Sequence, residues 1–230
     1  DIYKSPVLKY HQESVLGSES FQENYRLMPQ LGVNSCLLEY DLPALSTKTK
    51  KCLRTWLSKD GHKAGIMTNR PSRTPPDYLS SPEAELGAKL VGLSDLQILG
   101  SGMLAWFAVT HCELPEHTFL KPNPVHALAL MQMCYGEGVD TALRLAVNLW
   151  QGVGGKNDWM KFKNSRITIF EDAVKGLESG LNAKALLAQK DVAIDLNLVG
   201  ISENVIKKRA LQTVADQVFS NINEIDWNTF

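Results

Sequence analysis

Residues 166–180 read Arg166-Ile167-Thr168-Ile169-Phe170-Glu171-Asp172-Ala173-Val174-Lys175-Gly176-Leu177-Glu178-Ser179-Gly180. The run from Arg166 to Phe170 is rich in β-branched and aromatic side chains, which predicts a strand. Glu171 and Asp172 close that strand with two acids. Residues 173–188 then read as a helix with internal glycines. A buried strand that ends in acids and passes directly into a helix is the repeating unit of an open parallel sheet. Ligands of such sheets bind beyond the carboxyl ends of the strands. The acidic pair therefore stands where a site is expected.

Further units lie on both sides of this stretch. Ser35-Cys36-Leu37-Leu38-Glu39-Tyr40 predicts a buried strand that delivers Glu39 and Asp41 to the same end. Leu45, Cys52, Leu53, Trp56 and Leu57 recur at helical spacing after it, and Asp60-Gly61 stops that helix. Lys63 to Thr68 predicts the next strand, which makes a β-α-β unit with a right-handed crossover. Ser81-Pro82-Glu83 predicts a helix start with Ser81 as N-cap, running to about Val91. Leu96–Leu99 is a short apolar run with strand character, and 103–109, 124–135 and 139–150 predict helices. Val192–Ile201 predicts a last strand. Ile206, Ala210, Val214 and Val218 fall four residues apart, as on a closing helix. The expected fold is α/β: an open, mostly parallel, Rossmann-like sheet with helices on both faces. Residues 1–34 read as an N-terminal extension and 35–230 as the α/β domain, with small helical elaborations at 69–118 and 136–164.

Composition narrows the function classes. The chain has 230 residues, 44% of them hydrophobic and 21% charged, with a net charge of −1. That is the profile of a soluble globular protein. The mixed, nearly neutral charge offers no electrostatic case for nucleic acid or an anionic membrane surface. No apolar run reaches the ~18 residues that span a bilayer. Cys36, Cys52, Cys112 and Cys134 lack CxxC spacing and read as free, mostly buried thiols of a reducing cytoplasm. The start, Asp1-Ile2-Tyr3-Lys4, has neither an initiator Met nor a signal-peptide apolar core. It reads as a processed, truncated or partly observed beginning.

Four stretches in order then carry the chemistry: Leu37-Leu38-Glu39-Tyr40-Asp41, Ile66-Met67-Thr68-Asn69, Phe119-Leu120-Lys121-Pro122-Asn123-Pro124, and Ile167 to Ala173. Together they resemble the haloacid dehalogenase superfamily over residues 35–220. Ile169 to Gly180 is similar to its fourth motif, Lys121-Pro122-Asn123-Pro124 to its third, and Thr68 to its second. No room exists between Asp41 and Thr68, 27 positions apart, for a large cap. The resemblance implies a magnesium-dependent hydrolase acting on a small phosphomonoester of the phosphorylated-metabolite class. Glu39, Asp41, Glu171 and Asp172 would hold Mg2+. Thr68, the backbone N–H of Asn69, and Lys121 would bind phosphate. Glu39 would stand at the nucleophile, Asp41 at the general acid/base.

Two positions depart from the family pattern. Glu39 occupies the place of an Asp, and its side chain is about 1.5 Å longer. In-line attack tolerates little displacement: an error of 1 Å costs ~10²-fold. Leu42-Pro43 follows Asp41 where the family has a glycine and a small residue. A rival register makes Asp41 the nucleophile and leaves Pro43 at the acid/base. Three functional readings follow: a magnesium-dependent phosphatase, a catalytically inactive relative that binds a ligand or partner, and an unrelated α/β binding protein. Arg70, Arg73 and Tyr78 in the 69–79 loop are expected to face substrate. The 139–164 segment either shields the site or mediates a homodimer. Gly152-Val153-Gly154-Gly155-Lys156 follows a helix, not a strand, and is a poor phosphate loop. His111, Cys112, Glu113 and His117 lack the rest of a zinc signature.

Overall fold

The structure is a computed structural model, and it describes residues 2–227. Residue 1 and residues 228–230, at the two ends of the expected extension and domain, lie outside the described residues. In chain order the elements are α1 (Pro6–Leu16), α2 (Ser18–Tyr25), α3 (Cys36–Tyr40), α4 (Thr47–Leu57), β1 (Gly65–Met67), α5 (Glu83–Val91), β2 (Gln97–Leu99), α6 (Ser101–Cys112), α7 (Pro124–Cys134), α8 (Val139–Trp150), β3 (Arg166–Glu171), α9 (Val174–Ala188), β4 (Asp195–Ile201), α10 (Val205–Leu211) and β5 (Gln217–Phe219). The α/β class expected from the sequence is therefore present.

The strands form two sheets, not one. β1 pairs with β2, and β3, β4 and β5 pair in that order; every pairing is parallel. Helix α7 lies on β1 and β2, α9 lies on β3 and β4, and α7 packs against α9. The main core forms between α6, α7, α8 and α9, where Leu104, Leu128, Leu143, Leu149, Trp159 and Leu187 are wholly or almost wholly buried. Each such side chain contributes about 1.5–3 kcal/mol of burial. On the other face of the three-stranded sheet, Leu53 and Trp56 of α4 meet Val199, Phe170 and Trp227. Helices thus cover both faces of the larger sheet.

The largest correction concerns residues 35–40, which form helix α3 and not a strand. Ser35 caps it by accepting the Leu38 N–H at 3.2 Å while donating its hydroxyl to the Val15 carbonyl at 2.6 Å. Leu37 is buried beside Leu16, Phe21 and Tyr25. A short apolar run satisfies a buried helical turn as well as a strand, and tertiary packing chose the turn. The partners come from α1 and α2, so the expected N-terminal extension is part of the folded body. Its hub is Glu13, a buried carboxylate that accepts from the backbone N–H groups of Gln30, Leu31 and Gly32 and from Ser18.

Three smaller expectations also change. The closing helix stops at Leu211, because Asp216 turns the chain by pairing with Leu198 through both its backbone N–H and its carboxylate. Val218 consequently sits in β5, and Ile206 is exposed. Ser81 is not the cap of α5; Pro82 holds that position without a side-chain bond. The four thiols are free, as expected, but Cys36 and Cys52 are exposed and Cys112 and Cys134 only half-buried. The 69–118 segment supplies α5, β2 and α6, and the 136–164 segment supplies α8 and a 3-10 turn at Asn157–Phe162. Among the described residues no helix is long and apolar enough to cross a membrane.

Candidate functional site

Lys121 is the centre of the carboxyl-end geometry. Its ammonium donates to the Met67 carbonyl at 2.9 Å and to the Glu171 carboxylate. Met67 is the last residue of β1 and Glu171 the last of β3, so one side chain ties the ends of the two sheets together. Both side chains of the pair are only 9% exposed. Burial pushes the Glu171 carboxyl above its ordinary pKa, and the adjacent Lys121 offsets that rise only in part.

Local structure explains why these groups meet. Asn123 caps α7 by accepting from the Val125 N–H at 2.9 Å. Helix α9 grips the preceding loop: the Ser179 hydroxyl donates to the Asn123 carbonyl at 2.8 Å, and Asn182 donates to the Pro122 carbonyl at 3.0 Å. Lys121 is thereby aimed across the strand ends. The Glu171 side chain lies over Gly176, where even a β-carbon would collide with its carboxylate. Thus the glycine in the fourth stretch makes room for the acid.

Thr68 continues β1. Its N–H bonds the Leu99 carbonyl at 3.1 Å, and its hydroxyl accepts from the Arg70 N–H at 3.1 Å, closing a tight turn around the exposed Asn69. Arg70 then reaches Asp41 at 3.2 Å, with both side chains about half exposed. His126 of α7 supports this turn from beneath. Its Nε2 lies 2.9 Å from the same Leu99 oxygen, which can only accept, so Nε2 carries the proton. Complete burial lowers the His126 pKa to about 3, keeping the ring neutral.

The expected magnesium ligands do not converge. Glu39 is exposed on α3 and accepts from the Asn34 amide at 2.8 Å. Asp41 pairs with Arg70, Glu171 with Lys121, and Asp172 with Lys207 of α10 at 3.0 Å. Each acid except Glu39 already has a cation. Among the described residues no group of three or more His, Cys, Asp or Glu side chains could hold a metal ion. As arranged, Asp41, Glu171 and Asp172 are each engaged by a different cation, Arg70, Lys121 and Lys207. Asp172 lies one residue ahead of the cap position of α9, which Ala173 holds without a side-chain bond.

Of the seven candidate residues, Thr68, Lys121 and Glu171 are thus brought together, with Asn69 beside them. Asp41 reaches the group through Arg70. Glu39 is turned away, and Asp172 faces Lys207. Sequence reasoning missed His126, Ser179, Asn182 and Lys207. Ser179 lies within the quoted stretch and the other three at ordinary helix positions, and none carries a local signal. The His111 cluster resolves as ordinary structure, with His111 stacked on Phe107 at 4.6 Å between rings. Compared with protein-family models, curated proteins and solved structures, the chain matches none.

Proposed function

We propose that this chain binds a small phosphomonoester, of the phosphorylated-metabolite class, at the carboxyl ends of β1 and β3, and does not hydrolyse it with its own residues. The observation that carries this reading is Lys121, a nearly buried cation held against the Thr68 turn and Glu171. A phosphate entering there meets the Thr68 hydroxyl and the Asn69 N–H. It also meets Arg70, whose half-exposed ion pair with Asp41 is worth at most about 1 kcal/mol and is readily exchanged. Asn69 with its neighbours and Lys121 contribute donors rather than a nucleophile. Glu39, the expected nucleophile, lies on α3 and accepts from the Asn34 amide. The resemblance to haloacid dehalogenase-like proteins in the second, third and fourth stretches supports the phosphate reading. A nearly neutral net charge of −1 and free thiols suit a cytoplasmic protein that takes a small anion.

The second reading is a magnesium-dependent hydrolase of the same substrate class. It is favoured by the retention of Asp41, Thr68, Lys121 and Asp172 in the order that the resemblance implies. One experiment separates the two. Phenyl phosphate is titrated calorimetrically into the protein, and turnover is followed with and without magnesium. The binding reading expects saturable binding, a loss of about tenfold in affinity for Thr68→Val or Arg70→Ala, and no turnover. Unchanged affinity in both variants removes the proposed site. Magnesium-dependent turnover that Asp172→Asn abolishes establishes the hydrolase instead.

A further inference from the structure

A recess of about 360 Å³ lies where the N-terminal helices meet the loop that leads into α5. A volume of this order is at the lower end of those that hold small ligands. Three parts of the chain far apart in sequence build it: Tyr3 and Leu8 around the start of α1, Tyr25 at the end of α2, and Pro71 and Leu79 of the loop. Two hydrogen bonds join these parts. The Tyr3 hydroxyl donates to the Tyr25 carbonyl at 3.3 Å, and the Asn24 amide donates to the Ser80 carbonyl at 3.0 Å. Tyr3, Leu8 and Leu79 are 48%, 39% and 43% exposed, and all three line the same recess. Apolar side chains scattered singly over a surface need no explanation; gathered round one recess they make a wall for an apolar group.

The polar floor of the recess has a direction. Tyr25 and Ser81, which both line it, are each only 5% exposed. The Tyr25 hydroxyl donates to Gln12 Oε1 at 3.2 Å, and Gln12 Nε2 donates to the Glu83 carboxylate at 3.5 Å. Ser81 Oγ lies beside the Tyr25 hydroxyl, yet among the described residues it has no hydrogen-bond partner of normal geometry. A buried hydroxyl left in that condition is uncommon. The donors of this chain run toward Glu83, phenol to amide and amide to carboxylate. The capacity that remains is to accept, at Ser81 Oγ and at the second lone pair of Gln12 Oε1. Burial raises the Tyr25 phenol above its ordinary pKa and the Glu83 charge pushes the same way, so the phenol keeps its proton. No Lys, Arg or His is among the residues that line the recess. The charge joined to its floor is the carboxylate of Glu83.

We propose that this recess binds a small primary amine with an apolar body. The ammonium donates to Ser81 Oγ and Gln12 Oε1 under the negative charge of Glu83, and the body packs against Tyr3, Leu8, Pro71 and Leu79. An anion in the same place meets lone pairs and a carboxylate. A purely apolar molecule leaves the buried Ser81 hydroxyl unpaired. An ammonium brings three donors and no acceptor, which is the complement of this floor. The recess shares no residue with the proposed phosphate site at Thr68, Asn69, Arg70 and Lys121, so the two readings stand or fall separately.

The probe is phenethylamine, titrated calorimetrically into the protein and followed by methyl resonances of isotope-labelled leucines. The expected result is saturable binding, with a Kd on the order of 1 mM or tighter and shifts at Leu8 and Leu79. 2-Phenylethanol keeps the body and one donor without the charge, and is expected to bind about fivefold more weakly. 3-Phenylpropionate, with the charge reversed, is expected not to bind. Ser81→Ala and Glu83→Gln are each expected to weaken the amine about fivefold or more. Leu79→Trp, at an exposed position where a larger ring leaves the fold intact, fills the recess and is expected to abolish binding. Binding of the alcohol or the carboxylate as tight as that of the amine overturns the assignment. So does unchanged affinity in both Ser81→Ala and Leu79→Trp, or the absence of saturable binding and of shifts at Leu8 and Leu79 in the native protein.

Discussion

Replacing Lys121 by Met is the sharpest test of how the two sheets are tied. The substitution keeps an apolar stem and removes the ammonium, leaving Glu171 buried without its counter-charge. Each side chain of the pair is 9% exposed, which puts it in the buried class. Breaking one partner of such a pair costs about 3–5 kcal/mol, against about 0–1 kcal/mol for an exposed pair. For a chain of this size, 4 kcal/mol lowers Tm by roughly 8–16 °C. The loss also depends on pH. The Glu171 carboxyl already titrates above 4.5 in the folded protein, and removing Lys121 raises it further. The folded state then holds a proton that the unfolded chain releases. Its contribution to stability is fully present below pH 4.5 and is lost as pH rises through the folded-state value. The deficit of Lys121→Met is therefore smaller at pH 4.5 than at pH 7. The double variant Lys121→Met with Glu171→Leu replaces the pair by apolar contacts and is expected to lie within about 2 kcal/mol of the native protein. Urea unfolding of the native protein, the two single variants and the double variant at both pH values measures the coupling. Single-variant losses under 1 kcal/mol that simply add in the double variant would refute the buried-tie argument.

Other expectations follow from the same geometry. His126 is neutral when folded, with its pKa lowered to about 3 from 6.5, so the unfolded chain binds the extra proton. Stability is expected to fall by about 3 kcal/mol between pH 6.5 and pH 4, and His126→Phe removes most of that slope in unfolding titrations. Gly176→Ala forces the Glu171 carboxylate from its seat, at about 1–3 kcal/mol by thermal unfolding, whereas Gly87→Ala, whose added carbon meets nothing, is expected to stabilise slightly. Ser179→Ala strips the Asn123 carbonyl of its buried donor, at about 1–3 kcal/mol in urea unfolding, and a change under 0.5 kcal/mol would detach α9 from the Lys121 loop.

Much of the architecture is legible in local pattern. β3 and α9 follow from the Arg166–Gly180 stretch almost to the residue, because β-branched residues, an acidic stop and helical spacing all agree there. Helices α5 to α8 are likewise visible from their spacing and flanking turn residues. Residues 35–40 were not, because Leu37 and Leu38 serve a strand or a capped turn equally. Only the contacts of Leu37 with Leu16 and Phe21, made possible by an N-terminal region that looks like an appendage, decide between them. Val218 failed for a similar reason: four-residue spacing is necessary for a helix face but not sufficient, and the pairing of Asp216 with Leu198 claimed that segment for β5.

The candidate site divides along the same line. Residue types and their order mark Thr68, Lys121 and Glu171, since a hydroxyl, an ammonium and a carboxylate at strand ends are readable from a few neighbours each. Which acid meets which cation depends on where distant elements come to rest. The pairs Arg70–Asp41, Lys121–Glu171 and Lys207–Asp172 join residues 29, 50 and 35 positions apart. The sequence by itself determined the α/β class and the strand that leads into the acidic pair, which rest on residues a few positions apart; that Gly176 seats the Glu171 carboxylate is seen only in the structure. Only the tertiary structure decided that Glu39 lies on a helix away from Lys121 and that the sheet is divided between β1 and β3, because both depend on long-range packing that no local pattern encodes.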